Sequence, residues 1–302
     1  MPVRFECATI PCRSRKYKNV KKWNLHVQAM REAKTSESAD PAVPHIDVII
    51  RTFNSARTLE PCMKSIAANI PFRKIIVVDH NSTDSTAEIA RKFGAEIHTE
   101  NVGLGYATTL GISHSATDYI LFVDSDVMII RDDFLREALV KLQSGRTGAI
   151  VGTAKGHPFL YGLPLGLTLF RRKDMEDMKI PAEIQGSETY HIRMEVRRRR
   201  MKVKYLKDSM IHNSVYRTFR YWPEWQGSQV RVSSGVNPWE LLYSFLVIFL
   251  ILSNSKSLRN LAYLPVFIVK FLIGYSNPAR WGNMDRRRLT PPSLSPDNLK
   301  YE

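Results

Sequence analysis

A chain of 302 residues that is 44% hydrophobic and 24% charged can bury a core as one large domain or two small ones, which excludes a wholly disordered or fibrous protein. Lys and Arg number 44 against 29 Asp and Glu, a net charge of +15, so the expected partners are anions: nucleic acid, an acidic membrane leaflet or phosphorylated substrates. Cys7, Cys12 and Cys62, with no CxxC pair, exclude a disulfide framework and a structural zinc on cysteine pairs, and point to a reducing, cytosol-facing home.

Residues 1–44 carry Arg4, Arg13, Arg15, Lys16, Lys18, Lys21 and Lys22 with no apolar stretch of signal-peptide length, and read as a basic extension. From there short β-branched runs alternate with helical stretches. Strands are predicted at Ile46–Ile50, Lys74–Val78 and Tyr119–Val123, with helices over Thr58–Asn69, Thr83–Phe93 and Leu104–Ser115 between them. Strand, helix, strand, helix implies a parallel α/β sheet, whose ligands bind at the carboxyl ends of the strands. The loops opening at Arg51, Asp79 and Asp124 should therefore line one site. Beyond Asp126 the alternation weakens, with strands predicted at Gly148–Gly152, Leu165–Phe170, Lys202–Leu206 and Ser209–His212 and a helix from Ser187 to about Arg199. This half should carry the second substrate.

Asp124-Ser125-Asp126 follows a buried apolar run. In extended chain, residues i and i+2 share a side, so both carboxylates can face one divalent ion and a bound diphosphate. Hard oxygen ligands suit Mg²⁺ or Mn²⁺. Asp79 ends its strand before the polar turn Asn81-Ser82-Thr83-Asp84, where a carboxylate can accept from a base N–H and Ser82 or Asp84 can cap the next helix.

The segments VIIRTFN, IIVVDHNSTDST, NVGLGYATTLGI and DYILFVDSDV, in this order between Pro44 and His212, resemble the family 2 glycosyltransferases of GT-A fold. The resemblance implies an α/β sheet binding a nucleotide diphosphosugar. Asp79 would read the base, Thr52 and Asn54 would line the nucleoside pocket, Gly103 and Gly105 would bring backbone close to the sugar nucleotide, Asp124 would contact ribose and metal, and Asp126 would bind the metal. In GSETYHIRMEVRRRRMKVKYLKDSMIH, Glu188 takes the place of the family's catalytic base and His212 that of a strand-end histidine ligand. Ser187 replaces an acidic neighbour and reads as the cap of a helix whose dipole favours ionised Glu188. The chain departs from the pattern at Arg51, where proline is frequent, at Ser55, where glutamate is frequent, and at Thr108, where a basic residue is often seen. The glutamine-arginine-tryptophan signature of processive polymerases is absent, which points to single transfer, although Gln226, Gln229 and Arg231 lie nearby.

Tyr216–Arg231 interleaves Arg217, Arg220 and Arg231 with Tyr221, Trp222 and Trp225. Such a segment can stack single-stranded nucleic acid, clamp a diphosphate or sit at a membrane interface. Arg171, Arg172 and Lys173 read as a solvated face. In region 236–302, the apolar runs Leu241–Leu252 and Leu261–Tyr275 are each shorter than the ~20 residues of a bilayer span. They read as interfacial helices or as buried helices of a soluble or dimeric protein; basic clusters at Arg197–Arg200 and Arg286–Arg288 favour the membrane.

The expectation is a GT-A domain over 45–235 with C-terminal apolar helices. It would act at the cytoplasmic face of a membrane as an inverting, Mg²⁺- or Mn²⁺-dependent glycosyltransferase, moving one sugar to a polyprenyl phosphate or lipid-linked glycan. The charge also allows a nucleic-acid-binding or scaffold protein on a decayed enzyme fold; Asp79, Asp124 and Asp126 argue against it, since they repel phosphate. A homo-oligomer is compatible with the apolar segments.

Overall fold

The computed structural model describes residues 44–155, 163–212, 222–254 and 262–280. The N-terminal extension, the C-terminal tail, Arg286–Arg288 and the first six residues of Tyr216–Arg231 lie outside them. In chain order the elements are β1 (Ile46–Thr52), α1 (Ala56–Asn69), β2 (Phe72–Asp79), α2 (Thr86–Lys92), β3 (Glu96–Thr99), α3 (Leu104–Ser113), β4 (Tyr119–Asp124) and β5 (Val127–Ile129). There follow α4 (Phe134–Gln143), β6 (Thr147–Ala154), β7 (Leu167–Arg171), α5 (Arg172–Glu176), α6 (Glu188–Arg198), β8 (Lys202–His212), α7 (Trp222–Ser234), α8 (Pro238–Asn254) and α9 (Leu264–Ser276).

Among the described residues the strands form one eight-stranded sheet ordered β3-β2-β1-β4-β7-β6-β8-β5. β1 pairs in parallel with β2 and β4, and β7 runs antiparallel to β4 and β6, so the sheet is mixed. Period-two alternation sends Val48 and Ile50 to one layer with Leu59, Met63 and Ile66 of α1. Ile49 goes to the other with Ala107 and Ile112 of α3 and Ile192 of α6. Asp47 is fully buried among them. It is satisfied by a two-pronged contact with Arg73 (2.9 and 2.7 Å) and by the amides of Ala116 (2.7 Å) and Thr117 (3.3 Å). Burial opposes its charge, but these donors together hold its carboxyl below the usual range.

The strands predicted at Lys202–Leu206 and Ser209–His212 are one strand, β8, kinked at Asp208 (φ 51°) where its pairing with β6 shifts register. β3, β5 and α4 were not anticipated. Arg171 is no solvated-face residue: its guanidinium donates to Asp174 and to the carbonyls of Leu142 and Thr147, tying three segments together. In the cluster Arg197–Arg200, Arg198 and Arg199 share Glu195.

The C-terminal helices join the domain through α7. A Cβ on Gly227 would meet the Phe271 carbonyl at 2.0 Å and one on Gly274 the Glu224 carbonyl at 1.8 Å, so the two glycines let α7 and α9 cross in backbone contact. Arg193 of α6 pairs with Glu240 of α8 and lies over the Tyr243 ring at 4.4 Å. Among the described residues no helix is long and apolar enough to cross a membrane. Trp239, Leu242, Leu246 and Phe249 of α8 and Val266 and Val269 of α9 are exposed.

Candidate active site

Strand register assembles the site. The parallel pairings set Thr52 beside Asp79 and Arg51 beside Asp124 at one end of the sheet. The antiparallel pairing of β5 with β8 sets Val127 opposite His212, which brings that histidine to the Asp124-Ser125-Asp126 turn.

Asp79 is 4% exposed. It accepts from the hydroxyls of Thr52 and Ser82, each at 2.6 Å, and from the Ser82 amide at 2.8 Å. A carboxylate offers about four acceptor sites, so this one keeps capacity for a further donor. Asn54, in the left-handed region (φ 46°), is tied to the same turn: its amide donates to Ser82 Oγ and its Oδ1 accepts from the Thr83 amide. Thr52, Asn54 and Asp79 thus belong to one preorganised unit. Ser82 is part of it rather than a helix cap. Asp84 does receive the Thr86 amide at 3.0 Å, though Ser85 holds the cap position of α2.

Asp124, Asp126 and His212 present ligand atoms within 4.8 Å of one another, with His212 Nε2 3.6 Å from Asp126 Oδ1. Two carboxylates and one imidazole fit a divalent Mg²⁺ or Mn²⁺.

Gly103 and Gly105 lie in close backbone contact with the segment before α6. A Cβ on Gly103 would lie 2.9 Å from the carbonyls of Ala182 and Ile184, and one on Gly105 1.9 Å from that of Pro181. The amides of Gly105 and Tyr106 donate to Ile184 and Ala182. The glycines therefore dock the loop leading into α3 against the segment leading into α6. Buried Glu100, which the sequence reading missed, holds that loop by accepting from the amides of Val102 (2.7 Å) and Gly103 (2.9 Å) and facing His80 at 2.5 Å.

Glu188 is 5% exposed in the first turn of α6. Ser187 occupies the cap position but in the left-handed region (φ 59°) and without a side-chain capping bond, so the expected cap is absent. The carboxylate is instead fixed by Arg51. Arg51 Nη1 lies 2.6 Å from Glu188 Oε1 and 3.2 Å from Thr108 Oγ1, and Nη2 lies 3.1 Å from Asp124 Oδ1. Burial alone would lower the guanidinium pKa; Glu188 and then Asp124 outweigh it and hold the value above its ordinary level. Two departures from the family pattern thus meet. The cation often seen at the position of Thr108 is supplied from β1 and rests against the Thr108 hydroxyl. A third departure, Ser55, places its hydroxyl 2.9 Å from that of Ser125.

Further along, Trp225 is buried with its ring against Gly186, and Gln229 is fully buried. Arg231 lies over the Tyr275 ring at 5.5 Å. These three residues of Tyr216–Arg231 act in helix packing and present no stacking platform.

The comparisons agree with this geometry. The sequence model of the family described as "Glycosyl transferase family 2" matches residues 47–215. A 4,4'-diaponeurosporenoate glycosyltransferase of Staphylococcus haemolyticus is 31% identical over 129 residues, 40% of this chain and 32% of that protein. The chain thus spans about a third of that relative's length. Among solved structures, a mannosyltransferase from Pyrobaculum calidifontis in complex with GDP-Man and Mn²⁺ superposes with TM-score 0.55 at 17% identity, over 86% of this chain and 84% of that one. Glucosyl-3-phosphoglycerate synthase from Mycobacterium tuberculosis, with Mn²⁺, UDP and phosphoglyceric acid, gives 0.52 at 17% identity, over 70% and 83%. The fold is that of the GT-A enzymes, and with the family's sequence model covering more than half of the chain, the chain belongs to glycosyl transferase family 2.

Proposed function

We propose that the protein is an inverting, metal-dependent glycosyltransferase that takes one sugar from a nucleotide diphosphosugar to an acceptor held at a membrane surface. The observation that carries the reading is the convergence of Asp79, the Asp124/Asp126/His212 group and the Arg51–Glu188 pair at one end of the sheet. Asp79, fixed by Thr52 and Ser82, would accept from the base, with Asn54 beside it. Asp124, Asp126 and His212 would hold Mg²⁺ or Mn²⁺, which when bound offsets the charge of the departing diphosphate.

Glu188 faces the acceptor side. Its Oε1 is held by Arg51, and among the described residues no group donates to Oε2, which leaves that oxygen for the acceptor. If the acceptor is a neutral hydroxyl, Glu188 takes its proton as the oxygen attacks the anomeric carbon, on the face opposite the leaving diphosphate. If it is a phosphate, already ionised at neutral pH, no proton has to be taken and Glu188 is not needed as a base.

The exposed apolar side chains of α8 and α9 support a membrane-linked acceptor, a polyprenyl phosphate or a lipid-linked glycan, at the cytoplasmic face. Helices of this length would lie in the interface. The test is turnover of UDP- and GDP-sugars with Mn²⁺ against polyprenyl phosphate in vesicles containing anionic lipid. Product requiring both metal and vesicle supports the reading; efficient transfer to a soluble acceptor with no vesicle dependence contradicts its membrane part.

A further inference from the structure

A second group of ligand-type side chains lies away from the donor site, at the edge of the sheet. Strand alternation puts Glu96 and His98 on the same face of β3, the edge strand. His114, at the C-terminal cap of α3, reaches the same point. Its ring stacks on that of His98, with centroids 3.6 Å apart and planes inclined 25°. His98 Nε2 lies 2.7 Å and His114 Nδ1 3.5 Å from one oxygen, Glu96 Oε1, and the three ligand atoms all lie within 4.8 Å of one another.

We propose that Glu96, His98 and His114 bind a divalent transition-metal ion, Zn²⁺ being the best match, at a site separate from the donor centre. Two ring nitrogens and a carboxylate oxygen make a borderline-soft set with a position left for water, whereas the donor site, with two carboxylates and one imidazole, is harder. Ligands about 2.0–2.1 Å from a tetrahedral ion stand some 3.3 Å apart, and the two histidine nitrogens lie 2.7 and 3.5 Å from Glu96 Oε1. The negative end of the α3 dipole at His114 also favours a cation there. Lys74 Nζ, 2.6 Å from Glu96 Oε2, leaves Oε1 to face the histidines.

Such an ion would cross-link β3 to the end of α3. The chain between those points includes Glu100, Gly103 and Gly105, so the metal would clip shut the segment that builds the donor loop. Zn²⁺ should therefore raise the melting temperature without being needed for transfer.

The experiment is equilibrium dialysis of the full chain against Zn²⁺ with metal counted per protein, alongside thermal melting. Wild type should hold one more ion than the His98→Gln/His114→Gln variant. The Asp126→Asn/His212→Gln variant should keep the ion that the first variant loses. The first variant should also lose the Zn²⁺-dependent rise in melting temperature while retaining Mn²⁺-supported donor binding. Co²⁺ in place of Zn²⁺ should give a visible absorption band that the same substitutions remove. Circular dichroism checks folding; should the double variant not fold, His114→Gln alone, at a solvent-facing helix end, carries the same comparison. An unchanged metal count and melting response in the histidine variants overturns the proposal.

Discussion

At the scale of single residues, Arg51 joins Glu188 of α6 to Asp124 of β4. Its side chain and that of Glu188 are 8% and 7% exposed, so removing the cation strands a buried carboxylate. Loss of one partner of such a pair typically costs about 3–5 kcal/mol. Arg51→Ala should therefore lower unfolding free energy by an amount in that range, read by urea titration, and Arg51→Ala/Glu188→Gln should recover part of it. Additive losses would mean that the two groups do not depend on each other. For Glu188→Gln itself, turnover should fall about 10²–10⁴-fold on a hydroxyl acceptor and much less on a phosphate, with donor affinity little changed. A collapse of donor affinity would move Glu188 into the nucleotide pocket.

His191, one turn beyond Glu188, makes a prediction in pH. Among the described residues its buried Nε2 has no hydrogen-bond partner. Burial pushes its pKa below the ordinary 6.5, more strongly than Glu188 raises it. A histidine depressed in the folded state contributes stability that is fully present above about pH 6.5 and is lost as pH falls through its folded value. His191→Gln should flatten the decline in stability as pH falls below about 6.5; an unchanged slope would show that other groups cause it.

At the scale of elements, close backbone approaches are the exacting contacts. Gly105→Ala would put a methyl 1.9 Å from the Pro181 carbonyl, with no flexible side chain to yield. It should cost at least about 1–3 kcal/mol and weaken donor binding, because the loop before α3 must move. Gly94→Ala is a matched control: it sits at positive φ with open space around it, so it should cost stability while leaving donor binding intact. Equal effects on donor binding would contradict the docking role.

The strands that carry the site were legible in the sequence because each is a β-branched run ending in a polar residue, as in IIVVD and YILFVD. The helix α4 was equally legible and was missed: Phe134, Leu135, Ala138, Leu139 and Leu142 form a helical stripe that is buried. β3 and β5 were not, since four and three residues hold too little pattern and only pairing with a neighbour makes them strands. Asp79, Asp124 and Asp126 could be named from motif and resemblance. Arg51 could be seen only as a departure, because its partners lie 57, 73 and 137 residues away and no local spacing reports such a contact. The contacts of Gly103 and Gly105 with residues 181–184 were hidden for the same reason.

At the scale of the whole molecule, a catalytic sheet and an apolar helical pair are joined through α7. Phe267 and Phe271 are fully or almost fully buried, and the Gly227–Gly274 crossing shows that α9 belongs to the fold and is no loose appendage. Deleting 236–302 should therefore expose the α7 face and lower stability as well as membrane affinity, so substitution is the cleaner probe. Leu242→Ser, Leu246→Ser and Phe249→Ser together, all exposed on α8, should reduce binding to anionic vesicles while the melting temperature changes little. Unaltered vesicle binding would remove the membrane from the account.

The central claim is that one end of the sheet holds a nucleotide diphosphosugar through a metal on the Asp124-Ser125-Asp126 turn. The most direct measurement is calorimetric binding of a nucleotide diphosphosugar panel to wild type and Asp126→Asn, each with and without Mn²⁺. The amide keeps the size of the carboxylate and removes its charge. Wild type should bind one nucleotide class with Mn²⁺ and far more weakly without it, and Asp126→Asn should bind weakly in both conditions while melting as wild type does. Tight binding by the variant with Mn²⁺, or equally tight binding by wild type without it, would contradict the account.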